Sequence, residues 1–443
     1  MEKSEKVEEY LYKYGKLVFY RIAIIIHVGL AIFSFIVAYT GDVIDGPAHS
    51  DMFDSYFIAT ERFLKDPNTL YEIHYCPFKY LPQSLGLFIP LFYIEKIIPF
   101  SSVAISIILQ LMVNLGIILL IKKMVKKNHI QISKYPSLVY LILSFYLIAM
   151  FHTIEYSLSQ VDIYVNFFIV LSIYYFLEGK EHVGYFWFSC SLIFKLTPVF
   201  VLPFLLLRKF KFKEALKQIK SFFSLDFKAR HGLNVKQALK NIMFLVIPLI
   251  PSIIIFLIYP ALIKSFININ IVAPSDYMTC EGQNCLNMFF TGVAIGSLSK
   301  ALYVLFGMDL LITFLIVAAI CYTIVLYWIR RFKPGIVETL FLGLMAAFIF
   351  IPDFIKVHNT FLSGIFAVLA LKKKLNWKYV LWFFFLSWFF LLWYLPPYTA
   401  FFYVATFACY IIFHNRIVPE NPQLVQESFD KYGKQMEKNE RQA

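Results

Sequence analysis

Four polar groups in an otherwise apolar chain contain residue types that could act together in catalysis. They are residues 49–56 (His-Ser-Asp-Met-Phe-Asp-Ser-Tyr), residues 159–162 (Ser-Gln-Val-Asp), Lys195 and residues 352–359 (Pro-Asp-Phe-Ile-Lys-Val-His-Asn). Each group borders an apolar block, and the distribution of basic residues places all four on the same side of a membrane. The sequence therefore predicts a single site that distant parts of the chain form at the membrane surface.

The chemistry of such a site follows from its acids and bases. Asp51 and Asp54 each offer a carboxylate that can act as general base on an acceptor hydroxyl, a role that typically contributes about 10²–10⁴-fold to a rate. Lys195 and His358 offer positive charge that can hold and neutralise a departing phosphate. This combination suits group transfer from a lipid phosphate whose tail lies in the bilayer and whose head group lies at the interface.

The elements that must position these residues are membrane helices. The 443-residue chain is 60% hydrophobic, whereas soluble domains are about 45–50% apolar. The excess lies in blocks of roughly 15–23 residues, the length with which a helix spans about 30 Å of hydrocarbon. The clear blocks are 18–40, 101–121, 136–151, 241–262, 307–329, 336–351, 377–394 and 399–413. We predict an all-α, polytopic transmembrane protein, with residues 1–443 forming one integral membrane domain of about 12 or 13 membrane segments.

The net charge of +13 is better explained by membrane topology than by a nucleic-acid partner, because the basic residues cluster in alternate loops. Residues 208–240 hold ten Lys/Arg against two Asp/Glu, whereas residues 41–82 hold seven Asp/Glu and three Lys/Arg. We expect 208–240 to be a basic cytoplasmic segment lying along the inner interface. We expect 41–82, 152–164, 263–306 and 352–359 to be extracytoplasmic, in a protein of the plasma membrane that contacts membrane lipids.

Two segments depart from a simple alternation of spans and loops. Residues 184–207 lie between basic inner segments, which predicts two half-length helices that meet at a turn containing Lys195. A lysine deep in hydrocarbon costs roughly 2.5–3.5 kcal/mol, so Lys195 should face a cavity, a partner or an anion, or else snorkel to the outer head groups. Residues 83–97 are apolar but short, and Glu95 and Lys96 interrupt them. If residues 101–121 run from outside to inside, 83–97 cannot also cross fully, and a re-entrant segment, an interfacial helix and a local exception to the positive-inside rule stay open.

The six cysteines indicate a disulfide rather than a metal centre. Cys280 and Cys285 bracket a polar stretch of the outer loop 263–306, where an oxidising exterior would let them pair. Cys190, Cys321 and Cys409 fall in membrane segments, where we expect them to be packing residues. No Cys/His spacing matches a structural zinc site, and we predict no cofactor.

Short motifs in the first outer loop and beyond resemble those of a known family. They comprise an Asp before a Tyr and an Ala, a Leu-Tyr pair, an aromatic-x-Tyr-x-Pro run, a Gln, a Lys three residues before a Pro, and a Pro-to-His loop. In this sequence they are residues 51–59, 70–71, 78–82, Gln160, Lys195 to Pro198 and residues 352–358. The set resembles GT-C glycosyltransferases, and it is most similar to the polyprenol-phosphate-mannose-dependent α-mannosyltransferases that include the mycobacterial phosphatidylinositol-mannoside enzymes.

The resemblance implies a GT-C-like fold with an extracytoplasmic first loop, and the inverting transfer of a hexose, most often mannose, from a polyprenyl-phosphate donor to a hydroxyl of a lipid or glycan acceptor. A single displacement needs one base rather than the paired carboxylates of a retaining glycosidase. Asp162 stands where the family usually has Asn. The implied site residues are Asp51 as the base, with Asp54 as the alternative, and Lys195, His358, Gln160, Asp162, Tyr56 and Tyr80 for substrate binding.

Other interpretations of the same residues stay open. The tyrosines could belong to an interfacial aromatic belt. A multi-pass transporter or lipid flippase would also carry a charged residue in a broken helix, although its charges should lie near the midplane and its halves are often related. A membrane chaperone or assembly subunit without activity would tolerate replacement of the outer-loop acids.

Overall fold

The computed structural model describes residues 18–44, 51–72, 78–127, 137–149, 151–207, 235–272, 297–351, 360–372, 404 and 407–412. Within these ranges the chain is helical and contains no strand. The α-helices are α1 Tyr20–Ile44, α2 Ile58–Lys65, α3 Leu85–Ile97, α4 Ser101–Lys126, α5 Ser137–Leu147, α6 Phe151–Leu158, α7 Asp162–Leu177, α8 Glu181–Phe194, α9 Leu202–Leu207, α10 Val235–Val246, α11 Ile250–Ile258, α12 Ala261–Ile267, α13 Leu298–Phe306, α14 Leu310–Phe332, α15 Ile336–Phe350 and α16 Thr360–Lys372.

Four helical stretches in the described part of the chain are long and apolar enough to cross a membrane. They are Tyr20–Val37, Ser101–Lys126, Lys240–Ile258 and Leu311–Phe332. Each has 18 or more residues, close to the about 20 that a transmembrane helix needs. The prediction of an all-helical fold is thus confirmed for the described residues, and four helices have the length and composition of membrane spans. The total of about 12 or 13 membrane segments stays a prediction.

Several stretches predicted as loops are helical where the structure describes them. The stretch predicted as the loop 41–82 contains a π-helical turn, Met52–Phe57, followed directly by α2. The stretch predicted as 152–164 is occupied mainly by α6, and residues 263–306 begin in α12 and end in α13. These helices are short and carry polar side chains, so hydropathy along the chain did not reveal them.

Residues 83–97, whose path the sequence left open, form a short helix rather than a full span. α3 has 13 residues, which corresponds to about 20 Å, less than the hydrocarbon thickness. The chain then reverses at Phe100, whose φ is +65°. Glu95 stabilises the reversal because its carboxylate accepts hydrogen bonds from the backbone N–H groups of Phe100 (2.6 Å) and Ser102 (2.9 Å).

The core is built around α7, which packs against α4, α8, α15 and α16. Every residue of α15 is buried, as expected for a helix that is apolar on all sides and enclosed by others. α7 and α16 approach closely at Gly364, where a Cβ atom would lie 2.4 Å from Asn166 Oδ1. Asn166 accepts a hydrogen bond from the Gly364 N–H (3.2 Å) and donates to Ser363 Oγ (3.0 Å).

α7 and α8 form an antiparallel hairpin that sets the position of two ionisable residues. The turn between them includes Gly179, whose φ of +74° is readily adopted by glycine. Asp162 is the first residue of α7 and Lys195 directly follows α8. The two side chains therefore lie at the same end of the hairpin, opposite the turn.

A buried polar network joins α1, α4, α5 and α6. Asn114 donates to Tyr156 Oη (2.8 Å) and to His152 Nδ1 (3.4 Å), and it accepts from Tyr146 Oη (2.6 Å). Tyr156 in turn donates to His27 Nε2 (2.7 Å), and the two histidines donate to backbone carbonyls of α5. Because buried polar groups are costly without partners, this set of bonds fixes α6 against its neighbours.

Candidate functional site

Lys195 lies at a break between two helices, as the sequence predicted. α8 ends at Phe194, Lys195 is extended, and a 3₁₀ turn, Thr197–Val201, follows with Pro198 near its start. The Lys195 Nζ atom lies 2.7 Å from Asp162 Oδ1, and the side chains are 13% and 0% exposed respectively. Of the alternatives that the sequence left, Lys195 thus faces a partner on α7 instead of snorkelling to head groups.

The turn between α6 and α7 brings Gln160 and Asp162 to this break. Ser159 has a φ of +52°. The N–H of Gln160 donates to the carbonyl of Glu155 (3.0 Å), and the N–H of Ser159 donates to the carbonyl of Tyr156 (3.3 Å). These two bonds make a Schellman motif, in which a left-handed residue ends the helix. Serine replaces the usual glycine here, so the motif could not be predicted from the residue types.

Asp51 is held by Gln160. The Gln160 side-chain amide donates to Asp51 Oδ2, and its backbone carbonyl accepts from Gln110 Nε2 of α4 (2.9 Å). Asp51 is half-buried and immediately precedes the π-helical turn Met52–Phe57. A carboxylate that is oriented in this way and reachable from solvent has the properties that a general base requires.

Tyr56 and Tyr80 form an aromatic cluster beside Asp51. Their hydroxyls share a hydrogen bond of 3.2 Å, and the Tyr56 ring stacks on Phe88 with centroids 4.2 Å apart. Burial raises the pKa of Tyr56 well above its usual range, and the nearby Tyr80, Asp51 and Asp162 raise it further. Tyr56 is therefore a neutral hydroxyl close to both aspartates, and neither tyrosine lies in an exposed aromatic belt because both rings are buried.

Residues 78–83 are tied to the α7–α8 hairpin and to α11. The Leu81 N–H donates to the Ile193 carbonyl (3.2 Å), two residues before Lys195. Gln83 donates to the Pro248 carbonyl (2.7 Å) and accepts from the Ser252 N–H (3.0 Å). These bonds hold the loop segment that carries Tyr80 against the end of α8.

Glu155 is a further carboxyl group of the site, and the sequence reasoning did not single it out. Its side chain is 1% exposed, and its Oε1 atom accepts a hydrogen bond from Thr360 Oγ1 of α16 (2.9 Å). Burial raises the pKa of Glu155 well above its usual range, and the nearby Asp162 raises it further. The Thr360 bond and Lys195 act in the opposite direction, and Asp51 adds a smaller increase. Glu155 thus lies within electrostatic range of the other three charged groups.

Six of the residues predicted for the site are brought together: Asp51, Gln160, Asp162, Lys195, Tyr56 and Tyr80. The side chain of Asp54, His358 and the cysteines 280 and 285 lie outside the described residues. Within the part of the chain that the structure describes, no group of three or more His, Cys, Asp or Glu side chains could hold a metal ion. The described site therefore offers an oriented carboxylate, a lysine paired with an aspartate, and a buried glutamate.

Comparisons with known proteins add nothing to this geometry. No protein-family model matches the chain, no curated protein is significantly similar to it in sequence, and no solved structure is significantly similar to the described fold.

Proposed function

We propose that the chain is a membrane glycosyltransferase that transfers a hexose, most simply mannose, from a polyprenyl-phosphate donor to a hydroxyl of a lipid or glycan acceptor at the extracytoplasmic face of the plasma membrane. The observation that carries the proposal is the contact between Asp51 and Gln160 next to the Lys195–Asp162 ion pair. Three separate segments carry the GT-C-like motifs. Together they bring a general base, Asp51, and a cation, Lys195, to one site.

In the proposed reaction Asp51 takes the proton of the acceptor hydroxyl. The acceptor oxygen attacks the anomeric carbon while the bond from that carbon to the phosphate oxygen breaks, so the configuration inverts and polyprenyl phosphate leaves. Gln160 orients Asp51, and Lys195 supplies positive charge to the departing phosphate. Because Lys195 is already paired with Asp162, the phosphate would share the ammonium group with that carboxylate.

The acidic partner of Lys195 also supports a second candidate, a multi-pass transporter or lipid flippase. A buried Lys–Asp pair at a broken helix is the kind of intramembrane charge that marks substrate pathways in transporters. A transporter would move a lipid-linked sugar between leaflets without forming a glycosidic bond. The two candidates therefore differ in whether the labelled sugar changes its carrier.

The test is a transfer assay with the full chain in native membranes or proteoliposomes. Membranes that contain the protein are incubated with radiolabelled polyprenyl-phosphate mannose, or with the glucose analogue, and the products are separated by extraction and chromatography. Asp51→Asn should reduce formation of the labelled product by about 10²–10⁴-fold, the contribution of a general base.

A matched control is Asp66→Asn. Asp66 lies in the same loop, where its side chain accepts from the backbone of Asn68, and asparagine can serve equally well at such a position. Its product formation should equal that of the wild type. Wild-type rates for both Asp51→Asn and Asp54→Asn would remove the catalytic assignment, and movement of unaltered donor between leaflets without labelled product would favour the transporter.

A further inference from the structure

Glu155 is a buried carboxyl group to which the proposed transfer reaction assigns no function. One of its oxygens, Oε1, accepts from Thr360 (2.9 Å). The other, Oε2, is buried and has no hydrogen-bond partner among the described residues. Since buried polar atoms in proteins are nearly always paired, an unpaired oxygen on a residue within electrostatic range of Lys195 and Asp51 indicates that a group other than these side chains pairs with it in the working protein.

The surroundings determine which form of Glu155 a ligand would meet. Two negative groups, Asp162 and Asp51, and one positive group, Lys195, act on Glu155, and Lys195 is already paired with Asp162. A third negative charge in this enclosed place would be repelled by both aspartates, and burial also disfavours it. A neutral carboxylic acid presents an O–H donor on one oxygen while the other continues to accept from Thr360.

We propose that Glu155 is a substrate-binding residue that donates a hydrogen bond from its neutral carboxyl group to a phosphate oxygen of the polyprenyl-phosphate donor. This inference rests on the proposed function for the identity of the ligand. Lys195 and Glu155 would then approach the same phosphate, one as a cation and the other as a neutral donor. As the bond to the anomeric carbon breaks, the phosphate oxygen gains charge, and hydrogen bonds to a charged oxygen are the stronger ones.

The position of Glu155 fits this role. Its carbonyl accepts from the N–H of Gln160, so the residue that orients Asp51 and the residue that would hold the phosphate belong to one Schellman motif. Tyr156, the next residue, is fixed by Asn114 and His27 in the buried network. Glu155 is thus held by the backbone on one side and by Thr360 of α16 on the other.

The test measures binding of polyprenyl monophosphate, which carries the phosphate but no sugar, to the full-length protein in nanodiscs. Three variants separate the possibilities. Glu155→Gln keeps a neutral donor of the same shape, Glu155→Met keeps the volume without a donor, and Thr360→Val removes the hydroxyl that donates to Oε1. We expect Glu155→Gln and Thr360→Val to change Kd by less than about threefold, and Glu155→Met to weaken binding about tenfold or more, the effect of losing a hydrogen bond to a charged group.

The matching polyprenyl alcohol, which lacks the phosphate, should bind all four proteins equally. Equal weakening by Glu155→Gln and Glu155→Met would contradict a neutral donor, and so would wild-type binding by Glu155→Met. If Thr360→Val and Glu155→Met weaken binding of the phosphate equally, Glu155 only connects α6 to α16 and does not contact the phosphate. The outcome is separable from the proposed function, because Kd for the phosphate is measured without any sugar transfer, and the transfer assay with wild-type protein is scored independently.

Discussion

Removal of Lys195 should destabilise the fold far more than removal of an ordinary lysine. In Lys195→Met the Asp162 carboxylate, which has no exposed surface, loses its counter-charge while Glu155 and Asp51 remain nearby. Asp162 must then stay charged in an apolar place or take up a proton, and either outcome costs free energy. Breaking a buried ion pair on one side typically costs about 3–5 kcal/mol, so the free energy of unfolding should fall by about that amount.

Removing both charges tests the reasoning more sharply. The double variant Lys195→Met/Asp162→Asn has no uncompensated charge, and buried pairs replaced on both sides are often close to neutral in stability. Its free energy of unfolding should therefore recover to within about 1–2 kcal/mol of the wild type. Because the cation is still missing, transfer of sugar from the lipid phosphate should remain impaired.

The assay is unfolding in mixed micelles with increasing sodium dodecyl sulfate, followed by tryptophan fluorescence and helical circular dichroism. Lys65→Met serves as the control, since Lys65 pairs with Glu61 at 2.8 Å on the exposed surface of α2 and such pairs contribute little. If Lys195→Met unfolds at the same detergent fraction as Lys65→Met, or if the double variant is no more stable than the single one, the pair is not a compensated buried charge.

Two further substitutions test the packing that positions the site. Asn114→Leu should lower the free energy of unfolding by about 1–3 kcal/mol, because the Tyr146 and Tyr156 hydroxyls lose their bonds to Asn114 while Tyr156 keeps its bond to His27. The same titration measures it, and an unchanged midpoint would mean that the network is not intact. Gly364→Ala should destabilise by about 1–3 kcal/mol, because its Cβ would lie 2.4 Å from Asn166 Oδ1. Gly86→Ala, with nothing within 4 Å of its Cβ, should be neutral or stabilising, and equal effects of the two alanines would contradict the close approach of α7 and α16.

The sequence contained enough information to predict where the charged residues would gather. Lys195, followed closely by Pro198 within an apolar stretch, could be expected to interrupt a helix, and the structure has that interruption. Asp162 could be expected at the start of a helix because a long apolar run follows it. Their pairing could not be predicted, because an acid that pairs with a lysine is chosen by the three-dimensional packing of helices and not by spacing along the chain.

Other features gave no usable signal in the sequence. Glu155 lies between His152 and Tyr156, so it resembles a solvated acid at the edge of a loop, and only the packing of α6 against α16 makes it a buried group. Ser159 adopts a left-handed conformation that is expected of glycine or asparagine. The π-helical turn after Asp51 could not be expected either, because such turns are rare.

The hairpin of α7 and α8 also bears on how the chain enters the bilayer during synthesis. Asp162 and Lys195 belong to consecutive helices and lie at the open end of the same hairpin. The two charges can therefore neutralise each other as soon as these helices leave the translocation machinery, before α15 and α16 have been made. One electrically neutral pair would then be taken out of water in place of two separate ions, each of which would carry a desolvation cost of several kcal/mol on its own.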